Sequence, residues 1–208
     1  MEEIKEVLNI FYLLSGPALV FIAYKALAQI KVTKEIAKTN ARRESLILTA
    51  KECRYYAQNI IPLCNAFNET LERVDAKFFT ESKTKIENNN IKVQYHFDKD
   101  SSELFPGELD DIVTSLINSL SDFSNFFTSG VADEKVAYEN LGYTFCNTVK
   151  KLAPLLVKIA EQHNEDNILK LFMIWHNRRE MELAIKEKNA LEEKINKSKS
   201  VSIDVLGA

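Results

Sequence analysis

Residues 46–78 read LILTAKECRYYAQNIIPLCNAFNETLERVDAKF, and their apolar positions decide the fold class. Leu46, Ala50, Cys53, Ala57, Ile60, Cys64, Phe67, Leu71, Val74 and Phe78 follow one another at alternating intervals of four and three residues. A helix brings such positions onto one face, because about 3.6 residues make a turn, and the interval is that of a heptad seam. Unbroken, the seam would be about 50 Å long. Pro62 has no N–H to offer the Gln58 carbonyl, so a kink or break is expected around Asn59 to Ile61. The seam needs a partner surface. The other helices of the same chain are the default, and a second subunit is the alternative.

C-terminal to the seam, TESKTKIENNN (80–90) is polar, and then Ile91, Val93, Tyr95 and Phe97 alternate with polar residues, a strand signal in an otherwise helical chain. The other alternating segment is Val201-Ser202-Ile203-Asp204-Val205, and pairing of the two is the expected hairpin; the alternative is a loop and a frayed terminus. A helix is predicted after Pro106-Gly107, with Asp110 and Asp111 suited to its positive end and Leu109, Ile112, Leu116, Leu120, Phe123 and Phe127 as its stripe. Ser129-Gly130 reads as its C-cap and Asp133 as the N-cap of the next helix, which carries Val136, Leu141, Phe145 and Val149 and tolerates Gly142. Pro154 is expected to break that helix and leave Leu155 to Ala160 as a short one. Ile168, Leu171, Phe172 and Trp175 lead into a charged helix with a thin apolar edge of Met181, Leu191 and Ile195. Its Glu182–Lys186 and Glu193–Lys197 pairs suit a solvated surface or a coiled-coil partner.

N-terminal to the seam, VLNIFYLLSGPALVFIAY (7–24) contains no charge. As helix it would span about 27 Å, close to a hydrocarbon core of about 30 Å. A cleaved signal peptide is disfavoured, because MEEIKE carries three acids against one lysine where a positive segment belongs. The flank from Lys25 to Arg43 carries Lys25, Lys31, Lys34, Lys38, Arg42 and Arg43 against Glu35. By the positive-inside rule, everything after the span is then cytoplasmic. Lys25 can snorkel to the headgroups, and the basic neck Lys31, Lys34, Lys38, Arg42 and Arg43 suits anionic lipid better than nucleic acid. Gly16-Pro17 falls in mid-span: either a harmless kink or, with Asn9 and Ser15 turned inward, a feature of several helices assembled around a pore.

The expected architecture is therefore all-α: a single N-terminal transmembrane helix, then a cytoplasmic helical bundle with at most one minor β-hairpin. Its parts are an N-terminal segment and span at 1–30, the neck at 31–45, the helical domain at 46–200 and a tail at 201–208. Five glycines and four prolines among 208 residues argue against sandwiches and barrels, and the glycines lie too far apart for a phosphate-cradling loop. Cys53, Cys64 and Cys146 form no CxxC pair and read as buried, reduced thiols. His96, His163 and His176 have no metal-ligand spacing, so neither a cofactor nor a metal is expected. Residues 45–208 hold 20 Lys and Arg against 25 Asp and Glu, which argues against general nucleic-acid binding.

The stretch FFTSGVADEKVAYENLGYTFCNTVKKLAPLLVKIAEQ (126–162), followed by ILKLFMIW (168–175), resembles a family of uncharacterised bacterial proteins with one N-terminal membrane helix and a small helical cytoplasmic domain. Asp133, Glu134, Ala137, Gly142, Phe145, Pro154 and Trp175 carry the likeness. The layout of anchor, basic neck and helices also looks like the membrane accessory protein of type VI-B CRISPR loci. That resemblance implies a homo-oligomeric pore in the inner membrane, used in antiviral defence with a protein partner. A membrane-tethered adaptor is the first alternative. The second is a degenerate ribonuclease, since that branch looks similar to ribonucleases marked by Arg, four to six residues, then His. Here the nearest matches are Lys158-x4-His163 and Lys170-x5-His176, and lysine lacks arginine's bidentate fork for a phosphate, so no enzyme is expected.

Overall fold

The computed structural model describes residues 2–87, 90–97, 107–161 and 167–199, apart from the side chains of residues 3, 7, 10, 11, 14, 198 and 199. Internal contacts divide the chain into two units, Met1–Ile47 and Leu48–Ala208. Helix α1 (Glu2–Tyr55) accounts for the first unit and opens the second.

In the first unit, Leu8, Tyr12, Leu13, Leu19, Val20, Phe21, Ile22 and Tyr24 are each 61–81% exposed. Residues 19–22 are consecutive, so they point in four directions about 100° apart, and the helix is apolar all round rather than along one stripe. Among the described residues no helix is long and apolar enough to cross a membrane. The expected span over 7–24 includes Val7, Ile10, Phe11 and Leu14, whose side chains lie outside the described residues. Pro17 sits inside α1 without ending it. It removes the donor that the Leu13 carbonyl would otherwise have, and the Ser15 hydroxyl donates to the neighbouring Tyr12 carbonyl at 2.7 Å.

In the second unit the seam is interrupted as the proline predicts, by a change of helix type. Residues Tyr56–Ile60 form a π-helical turn, closed by the Ile61 N–H donating to the Tyr56 carbonyl, and α2 (Ile61–Val74) starts with Pro62 in its first turn, so the bond that proline cannot make falls at the widened turn. Asn59 donates its side-chain amide to the Tyr55 carbonyl at 3.2 Å. The wide turn takes up an extra residue, and this moves the buried stripe. Ahead of it the buried positions are Thr49, Glu52 and Tyr56, while Leu46, Ala50 and Ala57 are exposed and Cys53 is half-buried. After it Ile60, Cys64, Phe67, Leu71 and Phe78 are buried as the heptad requires. The expectation that Ala50 and Ala57 face the core is thus corrected: strict 4-3 spacing does not survive a turn whose bonded partners are five positions apart.

Helix α2 ends at Asp75, in the left-handed conformation (φ 48°) that a short Asx side chain adopts most readily after glycine. The short helix α3 (Lys77–Thr80) follows, then strands β1 (Lys83–Glu87) and β2 (Asn90–Gln94). The strands pair antiparallel with Lys83 opposite Gln94 and Glu87 opposite Asn90. The hairpin joins 90–94 to the polar segment immediately before it; residues 201–205, the partner expected from sequence, lie outside the described residues. KTKIE escaped notice as a strand because only Thr84 and Ile86 alternate inward among charged neighbours, and Ile86, Ile91 and Tyr95 pack against the core.

Helices α4 (Gly107–Thr128), α5 (Glu134–Ala160) and α6 (Asn167–Lys199) complete the unit. Helix α2 packs on α4, α4 and α5 pack on α6, and α3 and the hairpin lie against α5. The α4 stripe buries Leu109, Leu116, Leu120, Phe123 and Phe127. The Gly130 N–H bonds the Phe127 carbonyl with φ 74°, the left-handed cap that glycine supplies. Asp133 caps α5 by accepting from the Val136 N–H at 3.2 Å, and its own N–H donates to buried Thr49 at 2.7 Å. Pro154 does not break α5 as expected. It is buried inside the continuous helix, where the apolar packing of Leu152, Leu155 and Leu156 outweighs the bond lost to the Lys150 carbonyl.

Trp175 is fully buried among Phe123, Phe127, Tyr138 and Phe145, the last at 4.9 Å between ring centroids. Its indole N–H donates to the Glu134 carboxylate, which also accepts from Arg178 at 2.8 Å. Arg178 lies 4.7 Å over the Tyr138 ring, and the Tyr138 hydroxyl donates to Glu182 at 2.8 Å, which displaces the Glu182–Lys186 pair expected from sequence. Gly142 makes this arrangement possible, since a Cβ there would stand 2.5 Å from the Tyr138 ring. Gly142→Ala is accordingly expected to destabilise the protein by about 1–3 kcal/mol despite alanine's better helix propensity. A Tm equal to or above wild type in thermal unfolding would contradict this placement of Tyr138.

Candidate functional site

The residues singled out by sequence fall in separate places. Asn9, Ser15, Gly16, Pro17 and Lys25 lie on the first part of α1; Lys25 stands 5.6 Å over the Phe21 ring, and nothing lies within 4 Å of a Cβ built at Gly16. Lys31, Lys34, Lys38, Arg42 and Arg43 are all exposed, and the first four recur at intervals of three and four, which sets them along one face. His163 lies outside the described residues. Its partner Lys158 stands 5.0 Å over the Phe97 ring. Lys170 is exposed and His176 buried, and Lys170 does not line the pocket in which His176 sits.

That pocket, of about 530 Å³, opens between β1, α5 and α6 and is lined by Phe79, Ser82, Thr84, Ile86, Lys150, Lys151, His176 and Glu180. Each wall has a local cause. Ser82, Thr84 and Ile86 alternate along one face of the hairpin and so turn inward together. Lys150 and Lys151 follow Val149 on the rim of α5, one position past its buried stripe. His176 and Glu180 are one turn apart on α6.

His176 is 8% exposed, and its ring stacks on Phe172 with centroids 5.5 Å apart. Its Nδ1 is buried without a hydrogen bond; the nearest acid, Glu180 Oε1, is 3.9 Å away, beyond hydrogen-bonding reach. Burial pushes the His176 pKa below its ordinary value, the positive charges of Lys150 and Arg179 push it further down, and Glu180 opposes them. The Lys151 ammonium donates to Asn68 Oδ1 at 2.6 Å. Ser82 Oγ accepts the His96 backbone N–H at 2.9 Å, and His96 Nε2 stands 3.3 Å from the Glu81 carboxylate.

The thiols play no part in this pocket. Cys64 and Cys146 are buried, and burial raises both, Cys146 to about 11, so neither is ionised near neutral pH. Cys64 Sγ lies 3.5 Å from the Thr148 hydroxyl. Among the described residues no group of three His, Cys, Asp or Glu side chains is placed to hold a metal ion. What the pocket offers is two ammonium groups, two hydroxyls, one carboxylate and a buried imidazole, which is binding chemistry. The lysines that line the pocket beside His176 are Lys150 and Lys151, not the Lys170 expected from sequence. The signal that could have found the site is the conjunction of an adjacent lysine pair on a helix with hydroxyls at every second residue of a strand.

The chain belongs to the family of the domain of unknown function DUF4760, which matches residues 26–178. The match takes in the neck, the hairpin, Lys150, Lys151 and His176. No curated protein and no solved structure matches the chain.

The state of His176 has a consequence for stability. Its folded pKa is depressed, so its contribution is present in full above the unfolded value of about 6.5 and is lost as pH falls below that toward the folded value. Wild type is expected to lose more Tm than His176→Leu between about pH 7.5 and about pH 5.5. Equal losses in calorimetry would contradict a neutral, buried imidazole.

Proposed function

We propose that this protein is a membrane-tethered helical module, inserted once in the inner membrane by the apolar first part of α1, with residues beyond Lys25 on the cytoplasmic side. The observation that carries the reading is the belt of large apolar side chains exposed on every face of that helix, followed directly by a basic stripe. Water solvates such a belt poorly, at about 25 cal/mol per Å² left uncovered, and lipid covers it without requiring any particular partner. The basic stripe sets the orientation through the anionic cytoplasmic leaflet.

Within that frame the chain acts as a homo-oligomeric membrane effector in bacterial antiviral defence, the role implied by the resemblance of its anchor, basic neck and helices to the accessory protein of type VI-B CRISPR loci. The open space at Gly16 lets a second helix approach closely, and the carbonyl freed by Pro17, with Asn9 and Ser15, offers polar groups to an enclosed lumen. A tethered adaptor is the second reading. It is favoured by the solvent-exposed second half of α6, where Met181, Leu191 and Ile195 form an apolar edge between ion pairs such as Lys197–Glu193 at 2.6 Å. On either reading His176 serves the fold and a pocket, not phosphodiester cleavage.

Full-length protein expressed in a bacterium should sediment with membranes, resist alkaline carbonate and place a C-terminal reporter in the cytoplasm. It should run in mild detergent as a defined homo-oligomer, and Pro17→Leu, which restores the missing N–H, should weaken the assembly and any collapse of membrane potential. Recovery in the soluble fraction would overturn the tether. A detergent monomer that leaves the potential intact would leave the adaptor.

A further inference from the structure

We propose that the pocket between β1, α5 and α6 receives a phosphate monoester carried by a small molecule, held by the Lys150 and Lys151 ammonium groups and the Ser82 and Thr84 hydroxyls. The inference is independent of the membrane reading, because all of these residues belong to the helical body.

Charge points to an anion. Two lysines face one carboxylate across the pocket, and Glu180 stands at its rim with a side chain 60% exposed. The donors are available. Lys150 makes no ion pair among the described residues. Lys151 commits one proton to Asn68 and keeps two. Ser82 Oγ already accepts from a backbone N–H, so its own proton is free to donate.

Charge and size narrow the anion further. A monoester carries a charge of about −1.5 to −2 at neutral pH and three terminal oxygens, which matches two ammonium groups and two hydroxyls better than a carboxylate or a diester would. The volume of about 530 Å³ exceeds what a phosphate ion occupies and leaves room for the molecule that bears it. Phe79 and Ile86 give that part of the pocket an apolar wall. His176 lines the same pocket, and its Nδ1 is buried without a protein hydrogen-bond partner. A soluble phosphate ester and a lipid headgroup share this chemistry, and the two arms of the test separate them.

The test uses full-length protein purified in mild detergent and read by thermal unfolding at matched ionic strength. Adenosine monophosphate and glycerol 3-phosphate are expected to raise Tm, and adenosine and glycerol are not. Lys150→Met with Lys151→Met should fold normally, since both side chains are exposed, and should weaken the response by about tenfold or more. Glu180→Gln should strengthen it by removing the opposing charge. Phosphatidic acid vesicles compared with phosphatidylcholine vesicles form the second arm: a lysine-dependent shift there, without one from the soluble esters, assigns the phosphate to a headgroup. No shift with any phosphate probe, or a shift that survives loss of both lysines, overturns the proposal.

Discussion

The indole of Trp175 must be buried for its area and answered at its N–H, and the meeting of α4, α5 and α6 is arranged around those two demands. Phe123 and Phe127 from α4, with Tyr138 and Phe145 from α5, supply the apolar walls; Glu134, in the first turn of α5, supplies the acceptor. Arg178 neutralises that carboxylate, so the acid is satisfied on both oxygens and has no need of water. Each link fixes the next: Asp133 caps the helix and sets the azimuth of Glu134, Gly142 admits the Tyr138 ring, and that ring carries Arg178. A charged hydrogen bond of this kind contributes about 1.5–3 kcal/mol, comparable to burying one large apolar side chain, which is why three helices can share so small a polar centre.

How much of this was legible depends on whether the relevant signal is local. Caps and stripes are local: Asp133, Gly130 and the α4 positions Leu109, Leu116, Leu120, Phe123 and Phe127 stand as the sequence places them, while Val113 rather than Ile112 is buried. Pro62 and Pro154 carry the same local penalty and met different outcomes. At Pro62 the chain could widen into a π-turn and keep tertiary contact on both sides, whereas at Pro154 close burial by leucines held the helix straight through. Proline states that a bond is lost, and only the packing decides where the loss is absorbed. The hairpin was missed in half because β1 is polar on its outer face, leaving two inward residues as its entire pattern.

The pocket was the least legible feature. Its residues come from 82–86, 150–151 and 176–180, and nothing within any one segment announces the others. Reading His176 against Lys170 assumed that chemistry-bearing neighbours on a helix would cooperate. Six residues along a helix turn a side chain through about 600°, so the two point apart, and the lysines that do reach the pocket come from the adjacent helix. Glu52 is a similar case: it is buried although it lies off the 4-3 seam, and burial raises its carboxyl.

The register of the hairpin sets Lys85 directly opposite Lys92, with Lys83 exposed on the same outer face. Like charges facing across a ladder repel, and the nearest relief is Glu87, 3.6 Å from Lys92. A two-stranded ribbon has little else to hold it beyond the few residues packed on α5. The wall of the pocket is therefore held in part against charge repulsion, and added salt would tighten it while leaving the aromatic centre indifferent.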